Sequence, residues 1–385
     1  MDFPKNLEKM LQNRSAQNMC RSLKPPSSLI DFSSNDYLGF SRSEVISKSA
    51  SAILADSGTP INGSTGSRLL SGNQILHSTS ETAIKTFHKS ESTLLYNSGY
   101  DANLGFFSSV PQRGDVILYD ELSHASIRDG IRLSNAKAYK FAHNDYEDLE
   151  LLIERYRSAA NEIYIATESV FSMDGDSPNL ERLSQISSAN NCLLVIDEAH
   201  ALGVFGDSGH GLVQHLGLHD KVFARIMTFG KGLGCHGAAI LGQNRLTEFL
   251  VNFSRSFIYT TALSPHSVAT ILAAYQQLGK SRLEIESLRD NILHFNREIH
   301  QLGIKPLFIK GKSAIQSAIF PGNETVTMVS KKLQEAGFDV RAILSPTVPA
   351  GQERLRICLH SYNTPKEISN LLRLLATFVY ERSDF

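Results

Sequence analysis

Short apolar runs, each ending in a polar or glycine-rich turn, recur through the first two thirds of the chain. The runs are STLLYNSGY, DVILYDELSH, EIYIATESVFSMDGD, CLLVIDEAH and KVFARIMTFGKG. They lack polar alternation and are separated by helix-like stretches, a pattern typical of central strands in a parallel α/β sheet. Parallel sheets bind ligands at the carboxyl ends of their strands, so we expect residues of these turns to form one site.

The pattern changes beyond about Ser281. The stretch LEIESLRDNILHFNREIHQLG has apolar residues at helical spacing and ends in a glycine, and shorter helix-like and strand-like segments follow it. At the other end, an amphipathic helix carrying Arg14 and Arg21 precedes DFSSNDYLGF. A chain of 385 residues exceeds the usual size of one domain. We predict an N-terminal segment (1–50), a large α/β domain (51–280) and a small α+β domain (281–385).

Composition excludes several classes of protein. The 38 basic and 39 acidic residues balance, so nothing indicates a nucleic-acid partner. The longest apolar stretch, LLRLLATFVY, is far shorter than the roughly 20 residues of a membrane span, and MDFPKNLEKM lacks the apolar core of a secretory signal. The four cysteines are scattered without metal-ligand spacing. We expect a cytoplasmic protein without membrane partner or metal site.

The sequence DEAH at 197–200 also occurs in helicases, where its carboxylates hold Mg²⁺ beside ATP. That chemistry requires the phosphate-binding pattern G-x-x-x-x-G-K-[ST]. The position of the first glycine is occupied by Arg225 in the segment that ends in Gly230-Lys231, and by Pro306 in the segment that ends in Gly311-Lys312. Both candidates fail, so the helicase interpretation is rejected.

The same strand ends supply the groups that pyridoxal phosphate (PLP) requires, which are a lysine, an acid for the ring nitrogen, a stacking group and an anion cradle. Lys231 lies among three glycines in TFGKGLG, and Asp197 ends an apolar strand. Taken alone, Lys231 could be a surface lysine and Asp197 a helix N-cap. A buried carboxylate, however, requires a cation such as the pyridinium.

The remaining PLP contacts are predicted at other turns. The turn NSGYDAN resembles a strand-to-helix turn whose free N–H groups bind phosphate, with hydroxyls from Ser98 and Thr228. His124 and His200 follow strands, where an imidazole could stack on the ring or bond its phenolic oxygen, although a lone histidine is more often structural. Because several separate turns supply the required residue types together, the joint pattern favours a PLP site.

The chain resembles the α-oxoamine synthases, which are fold-type I PLP-dependent acyltransferases. The resemblance rests on SSNDYLG, GSTGSRLLSG, LSHAS, FAHNDYEDLE, VFSMDGDSPNL, IDEAHALGVFGDSGHG, TFGKGLG, SAIQ and PTVPAGQERLRI, which occur in the expected order over nearly the whole chain. It implies a mostly parallel central sheet flanked by helices, with PLP bound by the large domain and a smaller C-terminal α+β domain.

Two motifs favour one branch of that family. The phenylalanine of TFGKG and the turn PTVPAG resemble the branch that condenses L-alanine with a pimeloyl thioester in biotin biosynthesis. The alternative is another branch, such as glycine C-acetyltransferase. The acyl carrier, coenzyme A (pimeloyl-CoA) or an acyl-carrier protein (pimeloyl-[acyl-carrier protein]), stays open.

The resemblance also implies roles for individual residues. Lys231 would bind the cofactor aldehyde, Asp197 would pair with the pyridine nitrogen, and His124 would stack on the ring and orient substrate. The residues implied to contact the rest of the cofactor or its phosphate are Ser98, Gly99, Tyr100, Ser172, His200 and Thr228. Family members are homodimers with active sites at the subunit interface, so Thr260 and Thr261 are implied to serve the partner's phosphate.

Substrate contacts are implied at Arg21, Asn35, His124, Thr347 and Arg356. Arg356 matches the family arginine for the amino-acid carboxylate. Arg354 lies two residues earlier on the same strand face, so spacing alone does not choose between the two. A basic residue often found before the PTVP turn is replaced here by Leu344-Ser345, which leaves open how the far end of the acyl chain is anchored.

Overall fold

A seven-stranded sheet forms the centre of the molecule in the computed structural model, which describes residues 3–16, 19–21, 23, 28–58 and 61–380. This sheet consists of β2 to β8, and the remaining strands form two smaller sheets. The strands of the described chain are β1 (Ile30–Asp31), β2 (Ser92–Tyr96), β3 (Val116–Asp120), β4 (Lys137–Phe141), β5 (Ile163–Glu168), β6 (Leu193–Asp197), β7 (Ala224–Thr228), β8 (Ala238–Gly242), β9 (Ile315–Ile319), β10 (Phe338–Asp339), β11 (Arg341–Ile343) and β12 (Arg354–Cys358).

Helices surround this sheet and fill the C-terminal part of the chain. The α-helices are α1 (Lys5–Ala16), α2 (Glu44–Asp56), α3 (Ile75–Phe87), α4 (Gly99–Ser109), α5 (Ala125–Leu133), α6 (Tyr146–Arg157), α7 (Leu180–Ala189), α8 (Leu212–His215), α9 (Asn244–Phe253), α10 (Arg255–Ile258), α11 (Pro265–Leu278), α12 (Arg282–Gln301), α13 (Asn323–Glu335) and α14 (Pro365–Tyr380). Within the described ranges, no helix is both long and apolar enough to cross a membrane.

The strand order in the large sheet is β2-β8-β7-β6-β5-β3-β4, and β8 runs in the direction opposite to the other six strands. The predicted mostly parallel sheet flanked by helices is therefore confirmed, and the five predicted runs are β2, β3, β5, β6 and β7. The pattern missed β4, an edge strand whose residues KAYKF are partly exposed, and β8, which follows the lysine turn.

The central strands are almost completely buried. Every residue of β5 is buried, as are the last four of β6, so these strands present apolar side chains to both flanking helical layers. Glu168 and Asp197 are the last residues of these strands and pair with each other in the sheet register. The fold thus carries two carboxylates to one edge of the sheet within a mostly apolar frame.

The C-terminal part contains a three-stranded antiparallel sheet in the order β11-β12-β9, packed with α12, α13 and α14. The N-terminal segment joins this part, because Ile30 in β1 pairs in parallel with Phe338 in β10. Helix α1 ends at Ala16, so the prediction that Arg21 belongs to the N-terminal helix is wrong; Arg21 lies in a non-helical, exposed stretch. The predicted boundaries at residues 50 and 280 remain predictions.

Candidate active site

Lys231 lies beyond the end of β7, in the turn that the glycines around it permit. Its Nζ lies 2.8 Å from Nε2 of His200. Burial lowers the pKa of Lys231 to about 8, although the nearby carboxylates of Asp197 and Glu168 oppose the shift. Gly232 cannot carry a side chain, since a Cβ there would lie 2.2 Å from the carbonyl oxygen of Leu202. The turn therefore holds an amine that loses its proton more readily than an ordinary lysine.

Asp197 is a buried carboxylate with amide donors but no cation. Its Oδ2 accepts a hydrogen bond of 2.7 Å from Nδ2 of Asn103, and its Oδ1 accepts one of 2.8 Å from the backbone N–H of Ala199. Among the described residues, no lysine, arginine or histidine nitrogen lies within 4.0 Å of it. The side chain is only 5% exposed, and an unpaired buried charge is costly. The protonated ring nitrogen of PLP fits this requirement.

His200 is held at both ring nitrogens. Opposite the 2.8 Å contact with Lys231, its Nδ1 lies 2.7 Å from the hydroxyl oxygen of the fully buried Tyr37. Burial, together with the positive charges of Lys231 and Arg356, keeps the pKa of His200 well below its ordinary value. A neutral imidazole in a fixed orientation is suited to bond a phenolic oxygen without adding charge.

His124 follows β3 and is oriented by a residue that the sequence did not single out. The backbone N–H of His124 donates to Oε1 of Glu168 at 2.6 Å, and its Nδ1 lies 2.7 Å from the hydroxyl of Ser126. Burial raises the pKa of Glu168 to about 8, and the charge of Asp197 adds to this rise. Partial desolvation lowers the pKa of His124, and the attraction of Asp197 opposes that shift.

The predicted phosphate cradle is the first turn of α4. Ser98 caps this helix by accepting from the backbone N–H of Asp101 at 3.1 Å, while the amides of Gly99 and Tyr100 lie where a helix offers no internal acceptor. A Cβ on Gly99 would lie 2.4 Å from Oγ1 of Thr228, so glycine is required to bring this turn against the end of β7. Free amides, a hydroxyl and a positive helix end together fit a phosphate.

Thr260 and Thr261 lie beside this cradle in the same subunit. Nδ2 of Asn97 donates to Oγ1 of Thr260 at 3.0 Å and to the carbonyl of Thr261 at 2.8 Å. The phenol of Tyr100, 46% exposed, donates to Asp129 at 2.6 Å instead of pointing into the cradle. The roles of these residues toward a partner subunit stay predictions.

Arg354 and Arg356 both lie on β12 and are both buried, but their partners differ. Arg354 forms an ion pair with Asp174. Arg356 donates from Nε to the carbonyl oxygen of Ser172 at 2.6 Å and from Nη2 to Oδ1 of Asn35 at 3.0 Å. Within the described part of the chain, Arg356 has no carboxylate partner. The structure thus leaves one of the two arginines available for a substrate carboxylate.

The loop that carries Ser172 is held in place by an ionised histidine. Nδ1 of His143 lies 2.9 Å from Asp120 and its Nε2 lies 2.9 Å from Asp176. Burial lowers the pKa of His143, but the hydrogen bonds and charges of the two aspartates outweigh burial and raise it to about 10. The imidazolium therefore ties the loop after β5 to the end of β3.

Two predicted substrate contacts, Arg21 and Thr347, have side chains that form no hydrogen bond with a described residue, and their roles stay predictions. Arg21 is exposed and its side chain forms no hydrogen bond or ion pair with a described residue. Thr347 is exposed and lines a cavity of about 570 Å³ between the loop after β5 and the turn before β12. Asn35, in contrast, lies beside Arg356.

Glu168, Asn103 and Tyr37 were missed by the sequence reasoning. Glu168 could have been found, because it ends a predicted apolar strand just as Asp197 does. Asn103 and Tyr37 lie within a helix and a loop whose residue pattern does not reveal which side chain they approach. Their contacts depend on how distant segments pack.

The fold and site define a fold-type I PLP-dependent transferase. The profile of the family described as aminotransferase class I and II matches residues 27–375. The chain is 42% identical to 8-amino-7-oxononanoate synthase of Emericella nidulans, over 98% of this chain and 97% of that protein. The chain therefore belongs to the class I and II aminotransferases and, within them, to the 8-amino-7-oxononanoate synthase family.

Solved structures agree with this assignment. The 8-amino-7-oxononanoate synthase of Francisella tularensis superposes with a TM-score of 0.78 at 28% identity, covering 92% of this chain and 98% of that one. Serine palmitoyltransferase from S. paucimobilis, with a bound PLP-myriocin aldimine, gives a TM-score of 0.88 at 25% identity, covering 98% and 97%. The chain is a PLP-dependent enzyme of the acyltransferase type.

Proposed function

We propose that this enzyme condenses L-alanine with a pimeloyl thioester, releasing CO₂ and free thiol and forming 8-amino-7-oxononanoate for biotin biosynthesis. The observation that carries the proposal is the arrangement around Lys231, where, among the residues that the structure describes, the buried carboxylate of Asp197 has no cationic partner and the buried guanidinium of Arg356 has no carboxylate partner. Similarity over 98% of the chain to a synthase of this name supports it.

The cofactor would be held by residues already described. Lys231 would bind its aldehyde, Asp197 its ring nitrogen, His200 its phenolic oxygen and the first turn of α4 its phosphate, while His124 covers the ring. Bound PLP supplies a conjugated ring that stabilises negative charge at the substrate Cα. Asp197 keeps the proton on the ring nitrogen, which sustains that stabilisation.

Arg356 would fix the amino acid. A guanidinium has five N–H donors, and that of Arg356 contacts Ser172, Asn35, Cys358 and Tyr37, all of them neutral groups. Two parallel N–H groups match the two oxygens of a carboxylate. This grip would orient the alanine Cα–H bond toward Lys231, whose amine, with a pKa near 8, would take the proton.

We also propose that the enzyme is a cytoplasmic homodimer. The half-buried Thr260 and the exposed Thr261 lie beside the phosphate cradle, where a second subunit would bring a further hydroxyl. Sedimentation of the purified protein tests the oligomeric state.

The decisive experiment is an assay of the purified, PLP-loaded protein with L-alanine or glycine and with pimeloyl groups on coenzyme A and on acyl-carrier protein. We expect 8-amino-7-oxononanoate and one CO₂ per free thiol with alanine. Preferential turnover of glycine with a short acyl thioester would instead assign the enzyme to another branch, such as glycine C-acetyltransferase.

A further inference from the structure

The cavity of about 570 Å³ that contains Thr347 has a mixed lining. Its lining includes the apolar Phe171, Pro346 and Val348 and the two arginines Arg128 and Arg354. The cavity borders the site through Ser172, whose carbonyl oxygen accepts from Arg356. Apolar walls with cationic groups are suited to a hydrocarbon chain that ends in an anion.

The two arginines of this cavity differ in their partners. Arg354 is neutralised by Asp174 and also donates to the carbonyl oxygen of Gln352 at 2.9 Å. The guanidinium of Arg128 forms no hydrogen bond or ion pair with any residue that the structure describes. Glu121, the other acid of the lining besides Asp174, lies 3.5 Å from Lys140. Arg128, which is exposed to solvent, is thus the cationic residue of this lining that has no partner within the described chain.

Arg128 also lies at a suitable distance from the reacting groups. It follows His124 by four residues on α5, so the two Cα atoms are separated by about 6 Å along the helix. The far carboxylate of a pimeloyl group is six carbon–carbon bonds from the thioester carbonyl, and bonds of about 1.5 Å in a zig-zag span less than about 9 Å. The phosphates of coenzyme A lie many more bonds away.

We propose that Arg128 binds the terminal carboxylate of the acyl chain and so selects ω-carboxyacyl thioesters over simple fatty acyl thioesters. The inference rests on the proposed function. The proposal also explains how the far end of the acyl chain is bound although Leu344 replaces a basic residue, because the positive charge comes from Arg128 on α5 instead of from the turn before β12.

The test compares pimeloyl-CoA with heptanoyl-CoA, which has the same chain length but no terminal carboxylate. We expect Arg128→Gln to raise KM for pimeloyl-CoA and to lower its kcat/KM about 10- to 150-fold, which corresponds to the loss of a hydrogen bond to a charged group, while kcat/KM for heptanoyl-CoA stays unchanged. Arg128→Lys should recover part of the preference. The matched control is Arg132→Gln, on the same helix but paired with Asp129 and outside the cavity, which should behave as wild type.

The outcomes separate the competing explanations. An equal loss for both thioesters, or no loss for either, overturns the inference. The selective loss must persist with the pimeloyl thioester of N-acetylcysteamine, which has no phosphate; if it disappears there, Arg128 binds the carrier and the inference is wrong. A wild-type enzyme that turns over no pimeloyl thioester with alanine refutes the proposed function, and this inference with it. If wild type turns over the pimeloyl thioester and Arg128→Gln keeps the wild-type preference for pimeloyl-CoA over heptanoyl-CoA, this inference alone is refuted.

Discussion

Replacing Arg356 and Arg354 separately should affect two different measurements. Arg356→Ala removes the guanidinium proposed to bind the alanine carboxylate, and a hydrogen bond to a charged group contributes about 1.5–3 kcal/mol. We therefore expect the affinity for alanine to fall about 10- to 150-fold. Arg356→Lys should also bind alanine poorly, because an ammonium cannot reproduce the planar pair of donors.

Arg354→Ala should instead destabilise the fold. The side chains of Arg354 and Asp174 are 5% and 13% exposed, so the substitution leaves a mostly buried carboxylate without its cation. Breaking such a pair costs about 3–5 kcal/mol of the free energy of unfolding. Its effect on alanine binding should be clearly smaller than that of Arg356→Ala, because Arg354 is already engaged by a carboxylate.

Two assays distinguish these effects. Alanine titrations of the PLP-loaded variants, followed through the visible absorption of the cofactor, report affinity, and urea unfolding of the same preparations reports stability. Wild-type affinity in Arg356→Ala, or a larger loss of affinity in Arg354→Ala, would refute the assignment of Arg356 to the substrate carboxylate.

Three further substitutions test the remaining groups. Lys231→Ala should abolish turnover and the visible band of lysine-bound cofactor while PLP still binds through its phosphate and ring contacts; a variant that kept both band and activity would disprove the lysine assignment. Asp197→Asn should slow the exchange of the alanine Cα proton with solvent deuterium, followed by NMR, because the variant loses about 2–4 kcal/mol of transition-state stabilisation. An unchanged exchange rate would exclude the role of Asp197 in stabilising the protonated ring nitrogen. The pKa of Glu168 is raised from 4.5 to about 8 on folding, so its protonated form stabilises the fold fully below pH 4.5 and this contribution is lost as pH rises through 8. The free energy of unfolding of the cofactor-free wild-type protein, measured in urea, should therefore fall between pH 5 and 8, and this fall should be smaller by a few kcal/mol in Glu168→Gln. If the free energies of the two proteins change in parallel with pH, the raised pKa of Glu168 is contradicted.

The fold class followed from local patterns because buried parallel strands need uninterrupted apolar runs. That rule identified β5, β6 and β7, which lie at or beside the middle of the sheet. It failed for β4, an edge strand in which Lys137 and Lys140 are exposed and only Phe141 is buried, and for the antiparallel β8. The edge strand β4 buries little surface, so its sequence lacks an apolar run. Strand β8 is as buried as β7, but it begins with Ala238 and Ala239, and alanine gives a weak strand signal.

The sequence by itself determined which residue types end the central strands, and hence the predicted lysine, acid and imidazoles of the site. Only the tertiary structure decided their partners. In the structure Arg354 pairs with Asp174, whereas Arg356 lies beside Asn35. Strand spacing could not distinguish the two arginines, because both lie on the same face of the strand. The tertiary structure also brought Tyr37 to His200, 163 residues apart. Strand periodicity determines which way a side chain points, but the charge it meets depends on chain segments distant in sequence, which only packing brings together.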